Sequence, residues 1–189
     1  MTRALFIIDV QNDFTEGGAL GVEGGSAVAT GIAAMLTEHP QRYDVVFASR
    51  DWHDGDNDNG GHFSAAPDYV DSWPRHCVAG TSGADYHPGL AGIELDVEIR
   101  KGQGEPAYSI FDGTTDGGTT TAQEITRLGV DEVDVVGIAT DYCVRASALG
   151  AAAAGLKTRV LVDLVAGVAS ESSDAALEEL TAAGVEVVR

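Results

Sequence analysis

Cations are scarce in this chain. Eleven lysines and arginines stand against 30 aspartates and glutamates, a formal net charge of −19 over 189 residues. Nucleic-acid binding needs clustered Lys and Arg to meet phosphates, so the charge excludes that class and disfavours an anionic membrane surface as a partner. Long apolar runs are also missing: no stretch reaches the roughly 20 residues that a membrane-spanning helix needs. The opening Met1–Ile8 is basic and then apolar, but Asp9 ends the run short of a secretory signal's apolar core, so a cytoplasmic protein is expected. Cysteine is nearly absent. Cys77 and Cys143 are too few for a disulfide framework, and in a reducing compartment they are expected as free thiols. What is present is a globular composition, 44% hydrophobic and 22% charged, in a length that fits one domain over residues 1–189.

Apolar, β-branched runs alternate with helical patterns. Arg3–Ile8, Asp44–Ser49, Leu95–Ile99, Val133–Ile138, Thr158–Asp163 and Val185–Val188 read as strands, several of them apolar throughout, as strands covered on both faces are. Ser26–Glu38, Thr119–Leu128, Asp141–Ala154 and Ser173–Ala183 read as helices, the last three stopped by Gly129, Gly155 and Gly184. The alternation predicts an α/β fold with a parallel sheet and right-handed crossovers. Residues 50–92 break the rhythm. They are rich in Asp, Gly, His, Trp and Pro without periodicity, and so long an irregular segment in a compact domain is expected to be functional.

In open parallel sheets ligands bind beyond the carboxyl ends of the strands. Asp9 closes the first predicted strand, Asp51 and His53 follow the second, Lys101 follows the third, and Thr140, Asp141 and Cys143 follow the fourth. The fold therefore draws polar groups from four strand ends toward one crevice. Cys143 falls in the first turn of a helix, where the helix dipole and a nearby cation such as Lys101 lower a thiol pKa; a small buried hydrophobe is the alternative at that position. Asp9, next to an apolar core, suits a proton acceptor, or else a loop-starting Asp that accepts backbone hydrogen bonds. Lys101 taken alone reads equally as a solvated charge. Asp51, His53, His62 and His76 concentrate three of the five histidines and a carboxylate in the irregular segment. Imidazole and carboxylate together suit Zn²⁺, Fe²⁺ or Mn²⁺, the alternative being hydrogen-bonded surface histidines. His39, His87 and Cys77 read as structural, and Asp54, Asp56 and Asp58 as a solvated loop.

These residues fall in Asp9–Phe14, Ser49–His53, His62-Phe63-Ser64, Trp73–Val78, the Lys101-Gly102 corner and Gly137–Val144. In that order, over nearly the whole chain, they resemble the isochorismatase-like cysteine hydrolases, and within them the nicotinamidases. The resemblance implies a three-layer α/β/α fold with a six-stranded, mainly parallel sheet in a Rossmann-like order. It implies a catalytic triad of Asp9, Lys101 and Cys143, an oxyanion hole from the N–H groups of Ala139 and Cys143, and a cis peptide between Ile138 and Ala139. Phe14, Trp73 and Tyr108 would hold an aromatic substrate. Asp51, His53, His62 and His76 would ligate one divalent ion, Zn²⁺ first, with Fe²⁺ or Mn²⁺ suited to the same set; residues 50–92 become the metal- and substrate-binding loop region. The implied reaction converts nicotinamide, and pyrazinamide, to the acid and ammonia through a cysteine thioester, in NAD salvage and with no organic cofactor. A small aromatic carboxamide is the implied partner, and a monomer or small homo-oligomer the implied state. Another amidase or isochorismatase-like hydrolase of the family is the alternative, or a non-catalytic binder of nicotinamide and metal.

Overall fold

A computed structural model describes residues 1–189. Six strands form one sheet: β1 (Thr2–Ile8), β2 (Val45–Asp51), β3 (Val97–Lys101), β4 (Val130–Ile138), β5 (Lys157–Ala166) and β6 (Glu186–Val188). All neighbouring pairs are parallel, in the order β3-β2-β1-β4-β5-β6. Strand order reverses between β1 and β4, and the helices are α1 (Gly25–Glu38), α2 (Thr121–Leu128), α3 (Arg145–Ala153) and α4 (Ser170–Ala182).

The apolar run of β1 explains the layering. Ala4 through Ile8 are all fully buried, and alternate residues point to opposite faces. Leu5 and Ile7 pack with Val28, Ala29 and Ile32 of α1. Ala4, Phe6 and Ile8 pack on the other face with Ala148 and Ala151 of α3, Leu180 of α4 and Ile125 of α2. Covered on both sides, the strand needs no polar face, hence its continuous hydrophobicity.

Two expected boundaries change meaning in the structure. Lys101 and Asp51 end β3 and β2 rather than following them, and they stand opposite each other in register. The expected helix from Asp141 to Ala154 is two pieces: a π-helical turn over Thr140–Val144, then α3. The wider turn accommodates Tyr142 and Val144, whose N–H groups both donate to the Ala139 carbonyl. The remaining elements shift at their ends by at most three residues: β4 begins at Val130, β5 runs on to Ala166 and α4 begins at Ser170. No helix is long and apolar enough to cross a membrane.

Candidate active site

Asp9, just past β1, turns into left-handed backbone (φ 49°) while its N–H donates to the Ser49 carbonyl at 3.2 Å. That turn aims a fully buried carboxylate across the strand ends. The Ser49 hydroxyl donates to Asp9 Oδ1 at 2.8 Å, and Lys101 Nζ lies 2.9 Å from Oδ2. Lys101 is 1% exposed, which rules out the solvated surface charge. Its ammonium also meets Asp51 Oδ1, the Ala107 carbonyl at 3.4 Å and Cys143 Sγ at 3.7 Å. One ammonium thus joins the thiol and both carboxylates.

Two buried carboxylates share that single ammonium, so a negative charge is left over, and an uncompensated charge in a low-dielectric interior is expensive. Burial raises the Asp9 carboxyl above its usual range against the opposing pull of Lys101. Burial also works on Asp51, but Lys101, His53 and His76 overcome it and hold that carboxyl well below its usual range. Burial alone would discharge Lys101; Asp51, Asp9 and Cys143 keep its pKa well above the ordinary lysine value. Cys143 corrects the expectation of a depressed thiol pKa. Burial and the charges of Asp9 and Asp51 outweigh the nearby lysine and push it well up. A raised thiol pKa favours the protonated sulfur, so a base is needed to take its proton; Asp9, joined to Cys143 through the shared Lys101 ammonium, is placed to do so.

Against this corner stands the histidine cluster. One ring nitrogen of each of His53, His62 and His76 lies within 4.8 Å of the other two, and all three residues are buried. His53 Nδ1 is 2.7 Å from the Gly102 carbonyl and His76 Nδ1 is 2.7 Å from the Pro74 carbonyl. A carbonyl only accepts, so both Nδ1 atoms donate to it, which leaves each Nε2 turned toward the cluster. Those Nε2 atoms lie 3.4 and 3.7 Å from Asp51 Oδ2. His53 Nε2 and both nitrogens of His62 have no protein partner despite burial, and burial beside the other two rings lowers the His62 pKa to about 3. Three buried imidazoles and a carboxylate, converging with ring nitrogens that have no protein partner, are a donor set for a borderline divalent cation, and the Gly102 and Pro74 carbonyls already fix the orientation of two of the rings. Gly102 is required here: at φ +78°, a Cβ would fall 2.4 Å from the His53 ring. The segment from 50 to 92 is not shapeless. Bridges His53↔Val78 and Phe63↔Trp73 pin it, and buried Asn59 ties its own turn by accepting from the Asp54 N–H and donating to the Asp54 carbonyl.

A cavity of about 330 Å³ opens over both groups, lined by Cys143 and Ala139 on one side and by Asp51, His62 and His76 on the other. Phe14, Trp73 and Tyr108 also line it. Trp73 Nε1 donates to Tyr108 Oη at 3.1 Å, and the Phe14 ring lies 5.5 Å from that of His76. Eight of the eleven expected site residues therefore line one space, while Asp9, Lys101 and His53 are buried against the lining residues Asp51 and Cys143. His39 and His87 stay outside it; His87 Nδ1 accepts from the Gly89 N–H. Cys77 is buried and free. The peptide joining Ile138 to Ala139 is cis.

Sequence reasoning passed over Gln11, Ser49 and Tyr142. The buried Gln11 side chain accepts from the Asp51 N–H at 2.8 Å and donates to the Asp51 carbonyl at 2.9 Å, holding the end of β2 in place. Gln11 lies inside the Asp9–Phe14 motif, where a polar residue three places past the end of β1 is the available signal. Tyr142 packs edge-on to Trp73 with ring centroids 5.1 Å apart; its place between Asp141 and Cys143 was the clue.

These features define a class: a doubly wound α/β protein in which a buried cysteine, aspartate and lysine share a pocket with a metal-competent histidine cluster. The chain belongs to the isochorismatase family, whose Isochorismatase domain model matches residues 3–189. It is 52% identical over 186 residues to a nicotinamidase/pyrazinamidase of Mycobacterium tuberculosis, covering 98% of each chain. Its structure is similar to that of the Pyrococcus horikoshii pyrazinamidase in complex with zinc, with TM-score 0.83, 34% identity and coverage of 100% and 99% of the two chains. It is likewise similar to PnC1 from L. infantum in complex with nicotinate, with TM-score 0.84, 35% identity and coverage of 100% and 92%.

Proposed function

We propose that this protein hydrolyses nicotinamide, and pyrazinamide, to the carboxylic acid and ammonia, serving NAD salvage in the cytoplasm. The observation that carries the reading is the buried Lys101 ammonium. It contacts Asp9, Asp51 and Cys143 at once, so a nucleophile and a cation-competent cluster face one aromatic-lined cavity with the nucleophile's base buried behind them. The likeness to nicotinamidases over almost the full chain supports the same substrate.

In this reading the ring of the amide lies among Phe14, Trp73 and Tyr108. Asp51, His53, His62 and His76 would hold a divalent ion, with Zn²⁺ favoured by the donor set and by the zinc-bound relative. When bound, that ion would supply a Lewis acid beside the substrate ring. Asp9 takes the Cys143 proton as sulfur attacks the amide carbon. The developing oxyanion is received by the N–H groups of Ala139 and Cys143; that of Ala139 has no partner within the protein. Asp9 then delivers the proton to the amide nitrogen, the C–N bond breaks, and ammonia leaves a thioester on Cys143. Asp9 next deprotonates the incoming water, the C–S bond breaks, and the proton returns to sulfur. Lys101 stays charged throughout and steadies both anions. Residues 50–92 act as the metal- and substrate-binding loop of a single domain.

The test is ammonia release from nicotinamide by metal-replete protein, before and after chelation. Turnover that chelation abolishes and readdition of Zn²⁺, Fe²⁺ or Mn²⁺ restores is expected. No release from metal-replete protein would leave only a binding role.

A further inference from the structure

Asp141 is buried and sits two residues before Cys143 in the same π-helical turn, yet the mechanism above does not use it. Its carboxylate points toward the junction of β5 and α4. Oδ1 accepts from the Val168 N–H at 3.0 Å; Oδ2 accepts from the Ala169 N–H at 3.3 Å and the Ser172 hydroxyl at 2.5 Å. The residue at the N-cap of α4 is Ala169, which has no side-chain cap to offer. Asp141 therefore caps α4 from elsewhere in the chain, and a carboxylate at the positive end of a helix is favourably placed. The approach is close: at Gly167 a Cβ would fall 1.8 Å from Ser173 Oγ and 3.3 Å from Asp141 Oδ1.

The junction bears on the cavity, whose wall includes Val168, the residue whose N–H Asp141 holds. The carboxylate thus ties together the turn that aims the sulfur and a wall against which the substrate lies. We infer that Asp141 is a positioning residue for the reaction proposed above, locking the nucleophile turn onto the start of α4 so that Cys143 stays aligned with Asp9 and Lys101. Both of its oxygens are occupied on the far side, so it carries no proton in the reaction.

The test compares Asp141→Ala, Asp141→Asn and Ser172→Ala by kcat, KM, the pH profile of kcat/KM, and the rate at which iodoacetamide modifies Cys143, located by peptide mass. Asp141→Ala is expected to lower kcat by about 10–100-fold, the loss that a displacement near 1 Å brings. KM changes less than about threefold, and thiol modification slows in parallel, because a misaimed sulfur loses both its base and its cation. Asp141→Asn keeps an acceptor oxygen and should lie within about tenfold of wild type with an unshifted pH profile, while Ser172→Ala, which removes one hydrogen bond, should cost roughly 2–10-fold. A plain structural cap would lower the melting temperature and leave kcat and thiol reactivity of the folded protein at wild-type values; that result overturns the inference. If Asp141→Ala does not fold, wild-type kcat and reactivity in both remaining variants overturn it equally. Thiol reactivity that depends on Asp141 in a protein releasing no ammonia would sink the proposed reaction and leave the positioning role standing.

Discussion

Two buried aspartate centres in this sheet are provisioned in opposite ways. Asp134, midway along β4, has one carboxylate and a surplus of partners: Arg3 at 2.9 Å, Arg159 at 2.7 Å, Arg42 at 3.7 Å and the Tyr43 hydroxyl at 2.6 Å. At the carboxyl ends of the strands, Asp9 and Asp51 share one lysine, with imidazole nitrogens beside them lacking any partner. A centre built for stability satisfies its charge internally. A centre that leaves charge and lone pairs unsatisfied holds affinity in reserve for a proton, a cation or a substrate. In a chain with so few cations, placing three arginines on one aspartate and one lysine on two is a functional division.

The sharpest way to break the comparison is to neutralise each centre in turn. Asp9→Asn should lower kcat/KM by on the order of 10⁴-fold, as loss of a triad member does, while the fold is kept or stabilised because the surplus buried charge is gone. Asp134→Ala should leave turnover within a few-fold of wild type. Steady-state kinetics and thermal melts on both proteins check the pair. The acid limb of kcat/KM should lie above the ordinary carboxylate range, because Asp9 must be ionised to accept the thiol proton and burial raises its pKa.

Removing a donor from the under-satisfied centre comes next. His53→Ala should weaken divalent-ion binding by at least about 10–100-fold, the scale seen when even supporting groups are lost. Elemental analysis after dialysis measures it, and unchanged metal content would mean that the cluster is structural. At the over-satisfied centre, Asp134→Ala should cost roughly 1–3 kcal/mol, the penalty for stranding donors of charged groups, read from denaturant unfolding. Arg3, Arg42 and Arg159 each reach water with part of the side chain, which places the effect toward the low end.

The smallest effect concerns a third carboxylate. Glu16 accepts from the Gly24 N–H, the Ser26 N–H and the Ser26 hydroxyl, tying the cavity loop to the start of α1. The Ser26 hydroxyl, with backbone N–H groups behind it, lowers the Glu16 pKa to about 2 from a usual 4.5. Its folded value is depressed, so its contribution is complete above the usual glutamate range and is lost as pH falls from 4.5 through about 2. Wild-type protein should lose more stability across that window than Glu16→Gln, and parallel acid titrations would not fit that account.

Much of the fold was legible because hydrophobic period is a local property. The unbroken run from Ala4 to Ile8 announces a strand covered on both faces, and with it the place where Asp9 must emerge. The same logic located Lys101 and Cys143. What escaped was tertiary. Period assigns faces but not register, so nothing in the sequence put Asp51 opposite Lys101 or had one ammonium serve both carboxylates. Gln11 grips the Asp51 backbone 40 residues away, and Asp141 caps a helix that begins 29 residues later than its own position; the sequence shows both as polar residues beyond strand ends but not what they hold. The thiol pKa was misjudged for a related reason. A helix start and a lysine are visible in sequence, whereas burial beside two carboxylates is not.

The most direct trial of the central claim is Cys143→Ala assayed with nicotinamide at confirmed metal occupancy. Loss of ammonia release with the ion retained, together with a nicotinoyl adduct on Cys143 of the wild-type protein after rapid acid quench, is the predicted result. Hydrolysis that persists in the metal-loaded alanine variant would contradict it, making the sulfur a bystander.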